Sequence, residues 1–142
     1  MPVNIFYNYS AFQTPPDDKL KQLTEDVLLQ ENRESGQINI IFTNNEEIFA
    51  LNAQYLNHHY YTDVIAFYYS KSGPVEGDIF ISLDKVHENS LEYESGFENE
   101  VIRVLVHGIL HLTGYTDETN EEKQNMHQLE DRYIEHYNLN LR

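Results

Sequence analysis

The chain has no cysteine. That excludes a disulfide framework and a thiolate zinc site, and nothing in it points to an oxidising compartment. Basic residues are scarce: 9 Lys and Arg stand against 24 Asp and Glu, for a formal charge of −15. A field of that sign repels polyanions at long range, so charge alone argues against a nucleic-acid binder that works through a basic patch. Long apolar runs are missing as well. No segment is apolar for long enough to span a bilayer, and "MPVNIFYNYS" (Met1 to Ser10) lacks the basic region and apolar run of a signal peptide. The expectation is a cytoplasmic protein with no membrane partner. No repeat, linker or low-complexity stretch divides the 142 residues. That length suits a single domain, residues 1–142, with a core of its own.

Local patterns supply the elements. "VNIFYNY" (Val3 to Tyr9) alternates apolar and polar residues as a half-buried strand does. "TPPDDKLKQLTEDVLLQENRESG" opens with prolines and acids, repeats apolar residues at Leu20, Leu23, Val27 and Leu28, and stops at Gly36, which predicts an amphipathic helix. Gln37 to Thr43 reads as a second strand, and "NNEEIFALNAQYL" as a short helix capped by Asn44 or Asn45. Thr62 to Tyr69 and Gly77 to Leu83, joined by the turn-rich "SKSGPVE", predict a hairpin. Beyond Asp84 the pattern is helical: a short helix near "LDKVHENS", a long one from about Gly96 to Leu112, and a last one through "NEEKQNMHQLEDRYIEHY". In that last helix Met126, Leu129, Tyr133 and Tyr137 recur at helical spacing, which is most simply core packing. The expected fold class is α+β: a small mixed sheet of about four strands packed with about five helices.

Placed at about 100° per residue, the long helix is apolar around most of its circumference, and Arg103, His107 and His111 fall on one narrow stripe with Glu100 close by. A helix apolar nearly all round is buried, so this stripe faces a buried network or a cleft. Histidines at i and i+4 can share one metal ion. With 7 His in the chain, such a pair arises by chance roughly one time in three, and alone it favours two packed histidines. "HLTGYTD" shifts the balance. Gly114 can take the left-handed conformation that ends a helix, and the returning chain then brings Asp117 back to the histidine face. Two imidazoles and one carboxylate leave a coordination position open, as in a catalytic rather than a structural zinc site. His107, His111 and Asp117 are therefore the candidate metal ligands and catalytic residues, for one Zn²⁺ per chain.

The same spacing occurs in metzincin proteases, whose motif has a glutamate directly after the first histidine as general base. Here Gly108 stands there, so a metalloprotease is the less favoured alternative. "RVLVHGILHLTGYTD" closely resembles the His-Gly-x-Leu-His-Leu-x-Gly-Tyr-Asp-His signature of the YbeY family, bacterial endoribonucleases of ribosomal RNA maturation. "LNAQYL…YTDVIAF" is similar to that family's Leu-Asn-x-x-Tyr-Arg…Thr-Asp-Val-Leu-Ser-Phe block, and "EGDIFIS" to its Gly-Asp-Ile-x-Ile-Ser strand. The matched blocks run from about Leu51 to Asp117 in the family's order.

The resemblance implies a zinc-dependent endoribonuclease specific for single strands, acting in late 16S rRNA 3′-end processing and ribosome quality control. Its implied partners are single-stranded rRNA and the small ribosomal subunit or its assembly factors, with no role for DNA. It implies His107 and His111 as ligands and puts Asp117 where the family has a third histidine. A carboxylate there makes a metal-held water less acidic than an all-histidine set does. The family's phosphate-contacting arginine is Leu56 here, which raises the alternative of a non-catalytic, zinc-containing ribosome-assembly factor. His58, His59 and Arg103 are candidates for a replacement charge. Read as bare residues, the first two are exposed loop histidines and Arg103 is an ion-pair partner of an acid such as Glu100. Arg103, Lys71 and Lys85 could together keep a local groove positive. Thr62, Asp63 and Asp78 read as caps or turn formers.

Overall fold

The structure, a computed structural model, describes residues 3–56, 62–70 and 72–140. Among them the chain runs β1 (Val3–Tyr7), α1 (Asp17–Gln30), β2 (Ser35–Thr43), α2 (Asn45–Leu56), β3 (Val64–Tyr68), β4 (Val75–Ser82), α3 (Leu83–Glu92), α4 (Phe97–Leu112) and α5 (Asn120–Asn140). The strands form one mixed sheet in the order β1-β2-β4-β3. β1 and β4 both run parallel to β2, and the expected hairpin is present as antiparallel β3–β4. The α+β expectation holds.

Alternation along β4 sends Val75, Gly77, Ile79 and Ile81 to one face of the sheet, in register with Ser35, Ile38, Ile40 and Phe42 of β2. Leu20, Leu23, Val27 and Leu28 of α1 and the apolar flanks of α4 cover that face in a single core. α2 lies against the opposite face, where Tyr55 meets Phe67 edge-on at 5.9 Å. Asn44 caps it, its side-chain oxygen accepting from the Glu47 amide at 2.9 Å.

One boundary differs from the sequence reading. α1 ends at Gln30, and Gly36 lies inside β2. Asn32 takes the left-handed conformation (φ 59°), with the Arg33 and Asn32 amides donating to the Leu28 and Leu29 carbonyls at 2.9 and 3.1 Å. Asparagine thus performs the helix-ending job assigned to Gly36. Gly36 answers a different need: a Cβ there would sit 2.4 Å from Glu76 Cγ on the neighbouring strand.

α4 positions the site. Val101, Ile102, Leu105, Val106, Ile109 and Leu110 are fully buried, each contributing roughly 1.5–3 kcal/mol of burial. Gly108 lets the helix lie directly on the sheet, since a Cβ there would meet Ile79 Cγ2 at 2.7 Å and Val64 Cγ2 at 3.2 Å. A metzincin-type base at position 108 would point into that packing instead of toward the histidines.

Candidate metal centre

The apolar flanks of α4 turn its polar stripe outward, onto a cleft of about 750 Å³. Glu100, Arg103, His107 and His111 all line it. Past Leu112 the helix closes with the Tyr115 and Gly114 amides donating to the Leu110 and His111 carbonyls, both at 3.1 Å, and Gly114 at φ 111°. This paired closure is the Schellman turn, and it sends the chain back along the helix face as Gly114 suggests. Asp117 consequently stands beside both histidines.

The three nominated residues converge: His107 Nε2 and His111 Nε2 are 2.9 Å apart, and Asp117 Oδ2 lies 3.3 and 3.7 Å from them. Tetrahedral ligands about 2.0–2.1 Å from a zinc ion are separated by roughly 3.3 Å, so the triangle has the right size. Its electronic state also fits a cation. The Tyr115 carbonyl accepts from His111 Nδ1 at 3.0 Å, and Glu130 Oε2 pairs with His107 Nδ1 at 2.7 Å. A carbonyl and a carboxylate can only accept, so both Nδ1 atoms carry the hydrogen and both Nε2 atoms present lone pairs. Two lone pairs and a carboxylate facing one another require a positive charge between them, either a proton or a metal ion.

Protonation tendencies match. Burial depresses His107, but the hydrogen bond and charge of Glu130, helped by Asp63 and Asp117, outweigh it and lift the imidazole above its ordinary 6.5. Burial, then the neighbouring His107, lowers His111. Proton and metal compete for His107 Nε2, so metal affinity is expected to fall as pH drops through the raised His107 value, starting above pH 6.5. Without metal the sign reverses for His107: protonated and held by Glu130, it contributes stability that is fully present below pH 6.5 and is lost as pH rises through the raised value, while the lowered His111 contributes in the opposite sense. Chelator competition between pH 8 and 6 checks the first statement, with a loss approaching about tenfold per unit at the acid end; a flat profile contradicts it.

Among the cleft residues that escaped the sequence reading, Glu130 and Asp63 act on His107. Glu130, 2% exposed, comes from α5. Its Oε1 accepts from Arg103 Nη1 at 3.2 Å while Oε2 holds His107. The signal was present: Glu130 falls on the stripe of Met126, Tyr133 and Tyr137, all of which are buried as expected, so it is an acid on an apolar face. Asp63 does not cap a turn alone. It accepts from Asn89 at 3.1 Å on the cleft wall, and burial raises its pKa against the pull of His107. Asp78, by contrast, stands outside the cleft wall, accepting from Asn39 at 3.0 Å.

Arg103 pairs with Glu130 and with Asp131 (2.8 Å) rather than with Glu100, whose carboxylate takes the Ser95 hydroxyl at 3.1 Å. Lys85 pairs with Glu88 at 3.8 Å and does not line the cleft; His58, His59 and Lys71 lie outside the described residues. Leu56 ends α2 and is likewise absent from the cleft wall. Among the described residues, no helix is long and apolar enough to cross a membrane.

Fold and site together define an α+β protein with a His-His-Asp group able to hold a metal ion at the wall of a polar cleft. The family model described as Endoribonuclease YbeY matches residues 7–138. Curated relatives named Endoribonuclease YbeY include one from Chlorobium phaeovibrioides, 40% identical over 84% of this chain and 80% of its own. Another, from Flavobacterium psychrophilum, is 36% identical over 95% of this chain and 97% of its own. The solution structure of a Thermotoga maritima protein superposes with a TM-score of 0.66 at 26% identity, covering 95% of this chain and 88% of that one. The chain belongs to the YbeY family.

Proposed function

We infer that this protein is a metal-dependent endoribonuclease of ribosomal RNA maturation, with Zn²⁺ held by His107, His111 and Asp117 and single-stranded RNA as its substrate. The observation that carries the reading is the convergence of three donor atoms in one cleft of a chain whose relatives are named as endoribonucleases. Two imidazoles and a carboxylate suit Zn²⁺. When bound, that ion supplies Lewis acidity at a phosphoryl oxygen and a more acidic water.

The chain's own residues do the rest. Tyr115 and Glu130 aim the two imidazoles, leaving both Nε2 atoms free of hydrogen. Tyr115 is itself anchored, its hydroxyl donating to Glu31 Oε1 at 2.6 Å at the end of α1. Asp63 lines the same cleft, where burial raises its carboxyl against the pull of His107 while Asn89 donates to it at 3.1 Å. The −15 charge gives no long-range attraction to RNA, which favours delivery by the small ribosomal subunit or its assembly factors in the cytoplasm, at the 3′ end of 16S rRNA and in ribosome quality control.

Metal analysis joined to a cleavage assay tests this. Purified protein is expected to hold about one Zn²⁺ per chain and to cut single-stranded but not duplex RNA. Chelation should abolish cleavage and added Zn²⁺ restore it. A zinc-loaded protein that binds pre-ribosomal particles without cutting RNA would be the assembly factor instead, and zinc-dependent peptide cleavage would make it a protease.

A further inference from the structure

The cleft wall carries five carboxylates, from Asp63, Glu100, Asp117, Glu130 and Asp131. One divalent ion leaves that wall net negative, yet a phosphodiester is itself an anion. Among the described residues, Arg103 is the single lysine or arginine on the wall. It stands one turn before His107 on the same stripe, an axial step of about 6 Å.

The two ion pairs of Arg103 differ in kind. Nη1 bonds Glu130, which is buried and already holds His107, so this contact fixes the guanidinium beside the donor triangle. Nη2 bonds Asp131, whose side chain is 68% exposed. An ion pair with a solvated partner is weak, because water and salt compete for both charges. These bonds use two of the five guanidinium N–H donors. A phosphate matches the guanidinium fork in two-pronged geometry.

Building on the endoribonuclease reading, we propose that Arg103 is the residue that binds the phosphate of the RNA strand beside the metal position, and that Asp131 is a stand-in carboxylate which the phosphate displaces. Glu130 keeps hold of Nη1 throughout, so the guanidinium stays aimed while Asp131 swings into water. One positive point in an acidic cleft thereby selects a phosphodiester without a basic patch.

The test uses the zinc-loaded full chain, single-stranded RNA and a salt series. Arg103→Ala is expected to lower kcat/KM about 10- to 100-fold. It should also flatten the dependence of log kcat/KM on log salt by about 0.7, the share of one phosphate contact on a single strand. Asp131→Asn, which alters a carboxylate paired with Arg103 and outside the donor triangle, is expected to keep its zinc and raise kcat/KM about 2- to 5-fold. That gain should vanish in the Arg103→Ala background.

A wild-type salt slope in Arg103→Ala at full zinc content overturns the proposal. So does an Asp131→Asn gain that persists without Arg103, or no gain at all. The Asp131→Asn result decides the matter even where Arg103→Ala loses zinc through Glu130. Wild-type protein that leaves single-stranded RNA intact is a separate outcome, which removes the endoribonuclease reading itself.

Discussion

Replacing His111 by alanine is expected to strip the protein of its metal and, with it, of RNA cleavage. His111 Nε2 stands 2.9 Å from His107 Nε2 and 3.7 Å from Asp117 Oδ2, so it supplies one corner of a three-donor triangle. Losing a partner that merely orients a ligand weakens metal binding about 10- to 100-fold; losing a donor should exceed the upper end of that range. The fold should survive. The His111 side chain is 29% exposed and lies outside the apolar core, so the metal-free variant is expected to unfold within about 1 kcal/mol of the metal-free parent. Zinc content after dialysis, cleavage rate and denaturant midpoint together separate loss of the site from loss of the structure. A His111→Ala protein that keeps full zinc and full cleavage would sink the site assignment, and the same holds for Asp117→Ala.

Glu130→Gln should have the next largest effect, about a 10- to 100-fold loss of metal affinity in a protein of nearly unchanged shape. The reason is hydrogen-bond accounting. The Glu130 carboxylate accepts at both oxygens, from Arg103 Nη1 at 3.2 Å and from His107 Nδ1 at 2.7 Å. A glutamine has one accepting end and one donating end. If its oxygen faces Arg103, its amide donates to His107 Nδ1 and pushes the imidazole hydrogen to Nε2, where it blocks the metal. If its oxygen faces His107, two donors confront each other at Arg103. Either arrangement also removes the negative charge that raises His107, so the histidine titration should move down. Chelator competition and NMR titration of the histidines check both effects. Unchanged metal affinity with an unmoved His107 titration would show that Glu130 serves packing alone.

How much of this was legible in the sequence depended on how far apart the cooperating residues lie along the chain. α4 could be read because apolar residues recur within single turns, and its predicted span, about Gly96 to Leu112, differs from the observed Phe97–Leu112 only in that Gly96 is the N-cap. The closure at Gly114 and the return of Asp117 were equally local, a consequence of one glycine able to take a positive φ. The end of α1 was misread because two residues could have ended it. Asn32 took the left-handed conformation, and Gly36 was kept for the close approach of Glu76, a neighbour 40 positions away that no local pattern announces.

The sequence by itself determined the α+β pattern, the buried helix with its histidine stripe, and the spacing that puts a carboxylate within reach of two imidazoles. Each rests on helical or strand periodicity and on backbone freedom at single residues. Only the tertiary structure decided that α5 delivers Glu130 to both His107 and Arg103, that Arg103 answers to Glu130 and Asp131 and not to Glu100, and that Asp63 faces the cleft. Those pairings join groups 23 to 28 residues apart and more. They follow from which helix packs against which, a choice made by the shared apolar core. Periodicity marks a face for burial without naming what will cover it.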